Sequence, residues 1–185
     1  MIFHATKVSG AFVIEPELIE DHRGFFACSW SPAEFEAHGL NPRLAQCNIS
    51  FNKLRGTLRG MHFQNQPHEE AKLVRCTQGA IYDVAVDLRT ESPTRYQWIA
   101  VELTSDNHRM VYVPEGFAHG YQTLTDNTEI CYQISESYHP ESAAGVRWDD
   151  PALGIKWPLP VSVIAERDAN YPLLDLTNGA RRLKN

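Results

Sequence analysis

The chain has 185 residues, of which 43% are hydrophobic, and its 17 Lys and Arg against 23 Asp and Glu give a net charge of −6. This length predicts a single domain over residues 1–185 with a large core. The acidic balance argues against nucleic-acid binding, and the lack of a long apolar run argues against a signal peptide or a membrane span. We therefore expect a soluble, cytoplasmic protein. Its four cysteines form no CxxC pair, which predicts free thiols.

The chain begins with two strand-like pieces, residues 10–19 and 24–30. A short helix is predicted next over residues 31–39, with Ser31 as N-cap, Pro32 in the first turn and Glu34 completing a capping box. Helical signals are sparse elsewhere. The segment after Pro158 is expected to be irregular.

Alternation of apolar and polar residues dominates the middle of the chain. Residues 71–89 read as two strands separated at Gln78-Gly79, because a glycine there favours a turn. Further strands are predicted within residues 96–104, 109–125 and 128–138. Turn signals recur about every ten residues, which is typical of a β-sandwich or barrel. The prediction is an all-β fold with a few short helices.

The stretch GTLRGMHFQNQPH, residues 56–68, contains the densest set of chemically active side chains. Residues 60–79 and 114–119 are similar to the two halves of a cupin barrel, which supports a cupin-like jelly-roll β-barrel or sandwich. Metal-binding cupins place an HxH pair on one strand face. Here His62 is followed by Phe63 and Gln64, so we predict no metal.

An anion site is a second possibility, because Arg55, Arg59, Lys72 and Arg75 lie close together in sequence. In a regular strand Arg59 and Met61 would share one face and His62 the other, unless Gly60 marks a bulge. Lys72 either reaches solvent from an edge or points into a polar cavity.

Proton transfer is a third possibility. His62 is a usable base near neutral pH if a carboxylate orients it. His119, Tyr132 and Asp168 are candidate partners, yet their spacing alone does not place them together. The residues by themselves leave the three alternatives open.

Several long motifs occur in the order seen in one family: GTLRGMHFQ, KLVRCTQGAIYDVAVDLR, SPT, VPEGFAHG and GVRWDDPALGIKWP. Over residues 10–175 the chain resembles the dTDP-4-dehydrorhamnose 3,5-epimerases (RmlC family), metal-independent cupin-like enzymes of nucleotide-sugar synthesis. The resemblance implies an isomerase without a cofactor, acting on a nucleotide-diphosphate sugar in rhamnose and polysaccharide (for example O-antigen) biosynthesis. It also implies a homodimer in which the N-terminal segment reaches across to the partner.

The resemblance also implies site residues. His62 matches the catalytic base, Asp168 the carboxylate that orients it, Tyr132 the acid on the opposite face, and Lys72 the cation beside the keto oxygen. In a 4-keto-6-deoxyhexose, loss of a proton next to the ketone gives an enolate, which such a cation stabilises. The substrate-binding residues implied are Arg23, Gln46, Asn48, Arg59, His119, Tyr138 and Arg167.

The chain departs from the family pattern at two positions near the nucleotide. Cys28 and Ala143 stand where the family usually has Glu. An alternative hypothesis is therefore a CDP-linked or other nucleotide sugar, and another is epimerisation at only one of C3 and C5. Two hypotheses assign the protein to a different functional class: a non-catalytic sugar-nucleotide binder and a metal-dependent cupin.

Overall fold

The computed structural model describes residues 1–174, in which strands predominate. The strands are β1 Ile2–Ala5, β2 Phe12–Glu15, β3 Ile19–Asp21, β4 Gly24–Phe26, β5 Gln46–Asn52, β6 Thr57–Gln64, β7 Lys72–Gln78, β8 Ala80–Asp87, β9 Trp98–Thr104, β10 Met110–Val113, β11 Phe117–Thr123, β12 Thr128–Ile134, β13 Ala143–Gly145 and β14 Val163–Ile164. The helices are α1 Pro32–Ala37 and α2 Glu166–Ala169.

The strands form two large sheets, which confirms the all-β, cupin-like jelly-roll prediction. The first sheet has the order β1-β2-β10-β7-β12-β5, and the second has the order β13-β6-β11-β8-β9 with β14 beside β6. Strands β3 and β4 form a separate hairpin. Neighbouring strands run antiparallel except for β14 and β6.

Apolar side chains are buried in three layers. The central layer lies between the sheets and joins Val74 and Ile130 of the first sheet to Ile81 and Ala85 of the second. Two outer layers cover the remaining faces, one around Phe35 of α1 and one that includes Val84, Val86 and residues of the C-terminal half. Both faces of β8 are therefore buried, which explains why apolar residues occur on both sides of its period-two pattern.

Both helices differ in part from expectation. Helix α1 has Ser31 at its N-cap and Pro at its start, as predicted, but Ser31 makes no side-chain cap hydrogen bond. The predicted capping box is wrong because Glu34 instead accepts a hydrogen bond from the Met1 ammonium group at 2.7 Å. Helix α2 lies in the segment that was expected to be irregular. Within residues 1–174, neither helix has the length and hydropathy that a membrane crossing requires.

A bulge at Gly60 sets the faces of β6. The pairing of β6 with β11 shifts register between His119 and Tyr121. A Cβ on Gly60 would lie 2.6 Å from the Gly120 Cα, so the two backbones approach more closely than any larger residue allows. Beyond the bulge Met61 joins an outer apolar layer, whereas His62 lies in the inner cleft described below.

Candidate active site

The register of the first sheet places four predicted site residues on its inner face. Tyr132 on β12 pairs with Asn48 on β5 and with Val74 on β7, and Val74 belongs to the central layer. Directly paired residues point to the same side of a sheet. Two residues further along, Lys72 and Gln46 both pair with Ile134 and so share that face.

The second sheet contributes histidines from the opposite side. His62 on β6 pairs with His119 on β11, and His119 pairs in turn with Ala85 of the central layer. The His119 Nε2 atom lies 2.8 Å from the Asp83 Oδ2 atom, and Asp83 is only 1% exposed. The two sheets thus enclose a polar cleft at one end of the apolar core.

His62 and Asp168 form the central pair of this cleft. Their Nε2 and Oδ1 atoms lie 2.8 Å apart. The other carboxylate oxygen of Asp168 accepts a hydrogen bond from the Gly60 backbone N–H at 3.2 Å, and the Arg167 Nε atom lies 3.4 Å from Oδ1. Asp168 is 2% exposed, whereas 32% of the His62 side chain is exposed. A buried carboxylate therefore orients an accessible imidazole.

The electrostatics of the pair favour a neutral imidazole beside an ionised carboxylate. Burial lowers the pKa of His62, and the hydrogen bond to Asp168 only partly offsets this. Burial alone would raise the pKa of Asp168, but hydrogen bonds from His62 and Gly60 and the charge of Arg167 outweigh it, so that this pKa lies below its ordinary value. The ring then donates its Nε2–H to Asp168, which leaves Nδ1 as the basic nitrogen.

Tyr132 has the properties of a proton donor. Burial raises the pKa of Tyr132, although the positive charge of Arg59 opposes the increase, so the phenol stays protonated at neutral pH. Arg59 is held by a 2.8 Å hydrogen bond from its Nε atom to Asn52 on β5. The Asn52 amide in turn lies 3.3 Å from the Tyr121 hydroxyl on β11. This network joins the two sheets beside Tyr132.

Lys72 reaches from the first sheet to the second. Its Nζ atom donates to the His62 backbone carbonyl at 3.3 Å and forms an ion pair with Glu70 at 3.0 Å. The side chain is 9% exposed. Because β7 lies inside the first sheet and Lys72 is buried, the alternative in which Lys72 reaches solvent from a sheet edge is wrong. The Lys72 ammonium group therefore lies next to the backbone of His62, the residue that pairs with Asp168.

The segment after α2 closes one side of the cleft. The Tyr171 ring lies edge-on to the His62 ring, with centroids 6.0 Å apart. It occupies the space above Gly145, where a Cβ would lie 2.4 Å from the Tyr171 ring. Arg167 lies over the same ring at 6.0 Å. Tyr138 is 56% exposed and lies within electrostatic range of Arg167.

Several charged residues do not join this group. Arg23 lies at the tip of the β3–β4 hairpin, where its guanidinium binds Asp21. The predicted clustering of Arg55 and Arg75 with Lys72 is wrong: Arg55 binds the Leu124 carbonyl at the surface, and Arg75 pairs with Met110 and Cys131 and lines a groove on the outside of the first sheet.

The two cupin-like segments, residues 60–79 and 114–119, contain histidines and a glutamate that could serve as metal ligands, but these are engaged with different partners. His62 binds Asp168, His119 binds Asp83, and Glu70 binds Lys72. His68 lies outside the cleft, stacked on His139. This arrangement does not form the ligand set of a metal-binding cupin.

Sequence reasoning missed four polar residues that shape the cleft, and it considered a fifth, Glu70, only as a candidate metal ligand. They interact with a predicted residue or line its surroundings, and no local pattern distinguishes them from ordinary strand or loop residues. They are Asn52, Glu70, Asp83, Tyr121 and Tyr171. Period-two alignment of Asp83 with the inward residues Ile81 and Ala85 was the one available signal.

The two positions that depart from the family pattern lie on opposite parts of the fold. Cys28 is exposed, follows β4, and its Sγ–H donates to the Trp30 carbonyl at 3.3 Å. Ala143 lies on β13, opposite Gln64 of β6. Within one chain these residues belong to separate surfaces.

Comparison with known proteins gives consistent results. The sequence profile of the dTDP-4-dehydrorhamnose 3,5-epimerase family matches residues 5–175. The enzyme of that name from Methanothermobacter thermautotrophicus is 45% identical over 172 residues, which cover 91% of this chain and 92% of the relative.

Solved structures agree in fold as well as in sequence. The Bacillus anthracis dTDP-4-dehydrorhamnose 3,5-epimerase with TDP and PPi bound has a TM-score of 0.90 at 42% identity, covering 94% of this chain and 99% of that one. The Legionella pneumophila dTDP-6-deoxy-D-glucose-3,5-epimerase in complex with dTDP-4-keto-L-rhamnose has a TM-score of 0.88 at 37% identity, covering 100% and 99%. The chain belongs to the dTDP-4-dehydrorhamnose 3,5-epimerase family of isomerases.

Proposed function

We propose that this enzyme converts dTDP-4-dehydro-6-deoxyglucose to dTDP-4-dehydrorhamnose by inverting both C3 and C5, with residues His62, Asp168, Tyr132 and Lys72 performing the chemistry. The observation that supports this most directly is the 2.8 Å His62–Asp168 pair in a cleft that Lys72 and Tyr132 enter from the facing sheet. A cytoplasmic location is part of this proposal.

The first step is removal of a proton next to the ketone. The Nδ1 atom of His62 accepts this proton, and Asp168 stabilises the imidazolium that forms. The electron pair moves through the enolate onto the C4 oxygen. Lys72, whose side chain is 9% exposed, provides positive charge there, where negative charge develops.

The second step returns a proton to the opposite face. The phenol of Tyr132 carries its proton at neutral pH, and burial raises its pKa further. Tyr132 lies on the sheet that faces His62. His62 can therefore remove a proton from one face of the sugar while Tyr132 delivers a proton to the other face. Arg59, close enough to affect the pKa of Tyr132, compensates the phenolate charge that remains after transfer.

The test is proton NMR of the dTDP-linked 4-keto-6-deoxyglucose incubated with the enzyme in D2O. Loss of both the H3 and H5 signals is expected, and loss of only one would show a single-centre epimerase. His62→Ala should abolish exchange. Exchange that persists in this variant would contradict the assigned base, and tight dTDP binding without any exchange in the wild type would instead show a binder.

The nucleotide is tested separately, because Cys28 and Ala143 replace two acidic residues of the family pattern. Titration with dTDP and CDP under identical conditions measures the preference. We expect tighter binding of dTDP. Tighter binding of CDP would support the alternative substrate and leave the epimerisation chemistry unchanged.

The working unit is proposed to be a homodimer. Edge strand β5 exposes Ile49 at 70% and Phe51 at 47%, and the β3–β4 hairpin exposes Phe26 at 71%. Apolar side chains on an open sheet edge favour coverage by another chain. Such a dimer also gives Arg23 a role, because the hairpin can place it in the partner's cleft.

Complementation tests this arrangement. Arg23→Ala and His62→Ala chains are each expected to be weakly active or inactive alone. A mixed dimer restores one complete cleft if Arg23 acts in the partner, since the wild-type Arg23 of one chain meets the wild-type His62 of the other. Unfolding and refolding the variants together should therefore regain activity. A mixture no more active than its components would refute the exchange, and light scattering would check the dimer mass against the 21.0 kDa chain.

A further inference from the structure

Two histidines and a glutamate form a second polar cluster outside the catalytic cleft. The His68 and His139 rings are stacked with centroids 3.5 Å apart and planes 8° apart. The His139 Nδ1 atom lies 3.1 Å from Glu141 Oε1. One ligand atom from each of these three residues lies within 4.8 Å of the others.

A single buried glutamine fixes the backbones of both histidines. The Gln64 Nε2 atom donates to the His68 carbonyl at 2.8 Å and to the Ser137 carbonyl at 3.1 Å. The Gln64 Oε1 atom accepts the His139 N–H at 2.6 Å. Gln64 is 3% exposed. The two imidazoles are thus positioned by the same rigid strand, β6, although they lie in different loops.

We propose that His68, His139 and Glu141 bind a divalent transition-metal ion of the zinc class. Two imidazoles and a carboxylate are the donors that Zn²⁺ prefers. Ligands of one tetrahedral zinc ion lie about 3.4 Å apart, so ligand atoms that are now up to 4.8 Å apart need to approach one another by up to about 1.4 Å. The stacked rings of His68 and His139 must also tilt so that one nitrogen of each points at the same ion. Because His139 is 31% exposed and Glu141 is 67% exposed, their side chains have room for this movement.

A further carboxylate supports this assignment. Glu136 Oε1 lies 3.9 Å from His139 Nε2, and Arg43 holds Glu136 through a 2.8 Å ion pair. When His139 binds a metal through Nδ1, its Nε2–H faces this carboxylate. Metal-bound histidines characteristically donate their second N–H to such a group, which fixes the ring and strengthens the ligand.

The ion would join two loops beside the cleft. His68 lies between β6 and β7, and His139 and Glu141 lie between β12 and β13. Tyr138 immediately precedes His139, so a bound ion restrains the loop that holds Tyr138. This site is separate from the proton chemistry, because His62 and Asp168 bind each other and do not contribute ligands.

Titration of the metal-free full-length protein with Zn²⁺ by calorimetry, and with Co²⁺ by visible absorption, tests the proposal. We expect one ion per chain and, with Co²⁺, the absorption of an ion bound by nitrogen ligands. His68→Ala and His139→Ala should each abolish the stoichiometric step. Glu136→Gln should weaken it about tenfold or more. The control His4→Ala removes another surface histidine that lies near a glutamate, Glu15 at 3.4 Å, and should bind normally.

The outcomes that overturn the proposal are distinct from those that test epimerisation. Absence of a stoichiometric step in the wild type refutes it, as does unchanged binding in His68→Ala and His139→Ala. Loss of the ion in His62→Ala would place the metal in the catalytic cleft and would also refute it. Melting temperatures recorded without metal confirm that each variant is folded, and no substrate is needed.

Discussion

Replacing Asp168 by Asn is expected to disable the base while preserving the shape of the cleft. The Gly60 N–H donates to one carboxylate oxygen at 3.2 Å and His62 lies 2.8 Å from the other. The asparagine satisfies the Gly60 N–H only with its oxygen, so its NH2 group faces the ring. His62 then accepts at Nε2 and carries its proton on Nδ1, the atom that must receive the substrate proton.

The expected loss of rate follows from the energetic cost of the opposite orientation of the asparagine amide. Turning the asparagine round leaves the buried Gly60 N–H unpaired, which costs about 1–3 kcal/mol or about 5- to 150-fold in rate. Loss of the negative charge that stabilises the imidazolium adds to this. General-base catalysis as a whole contributes about 100- to 10,000-fold to a rate. We therefore expect kcat of Asp168→Asn to decrease by a factor within that range.

The pH profile provides a second readout. Activity needs neutral His62, whose pKa lies below its ordinary value of 6.5, and protonated Tyr132, whose pKa lies above 10. The wild-type kcat/KM should thus have an acid limb with its midpoint below the ordinary histidine pKa and a basic limb with its midpoint above the ordinary tyrosine pKa. Asp168 raises the pKa of His62, so the residual activity of Asp168→Asn should have its acid limb at lower pH.

The assay is initial-rate kinetics on the dTDP-linked 4-keto sugar across pH, with circular dichroism to confirm folding. The control Asp149→Asn removes an exposed carboxylate that binds Arg147 at 2.6 Å and should leave kcat unchanged. A folded Asp168→Asn enzyme with kcat within a few-fold of wild type, or with its acid limb moved to higher pH, would refute the reasoning.

Three other substitutions separate the remaining roles. Tyr132→Phe removes the acid but not the base, so deuterium from D2O should still enter the sugar while inversion falls about 100- to 10,000-fold by NMR; equal losses would contradict this. Lys72→Met should lower kcat about 100- to 1,000-fold with a smaller change in KM, because the enolate loses its cation; an effect confined to KM would argue for binding alone. Gly60→Ala should lower the free energy of unfolding by about 1–3 kcal/mol in denaturant titrations, since φ is +142° and the new Cβ would lie 2.6 Å from Gly120 Cα. Gly154→Ala is its control, with positive φ but its nearest contact at 3.9 Å, and should cost less.

The strands were predictable because their signals are local. Residues 71–89 alternate with period two and break at Gln78-Gly79, and the structure has β7 and β8 on either side of Gly79. That glycine has φ of +78°, and a Cβ there would lie 2.6 Å from the Thr125 hydroxyl. Here the backbone conformation and the neighbouring chain both require the residue that the sequence shows.

The face of each β6 side chain was not predictable from alternation alone. Regular pleating puts Arg59 and Met61 together, whereas in the structure Arg59 binds Asn52 of the facing sheet and Met61 packs outside. The cause is the close approach of Gly60 to Gly120, which are 60 residues apart in the sequence. Gly60 suggested a bulge from the sequence, but the contact with strand β11 decides to which face of the sheet the following side chains point.

The capping box of α1 failed for a similar reason. Ser31 and Glu34 have the required spacing, but the Met1 ammonium group competes for the Glu34 carboxylate. An ion pair with a distant terminus is invisible to a local pattern. The same holds for Asp168, which lies 106 residues from His62 in the chain and reaches it only because β14 and α2 return beside β6.

The cleft contains two histidine–aspartate pairs, and their surroundings explain why only one suits proton transfer. The His62 side chain is 32% exposed and so can meet a substrate, whereas His119 is 9% exposed. Both oxygens of Asp168 have donors. Among the described residues, the Oδ1 atom of the buried Asp83 has no hydrogen-bond partner. An imidazolium at His62 is therefore formed beside a buried carboxylate whose two oxygens both accept hydrogen bonds, whereas the largely enclosed His119 is held by Asp83.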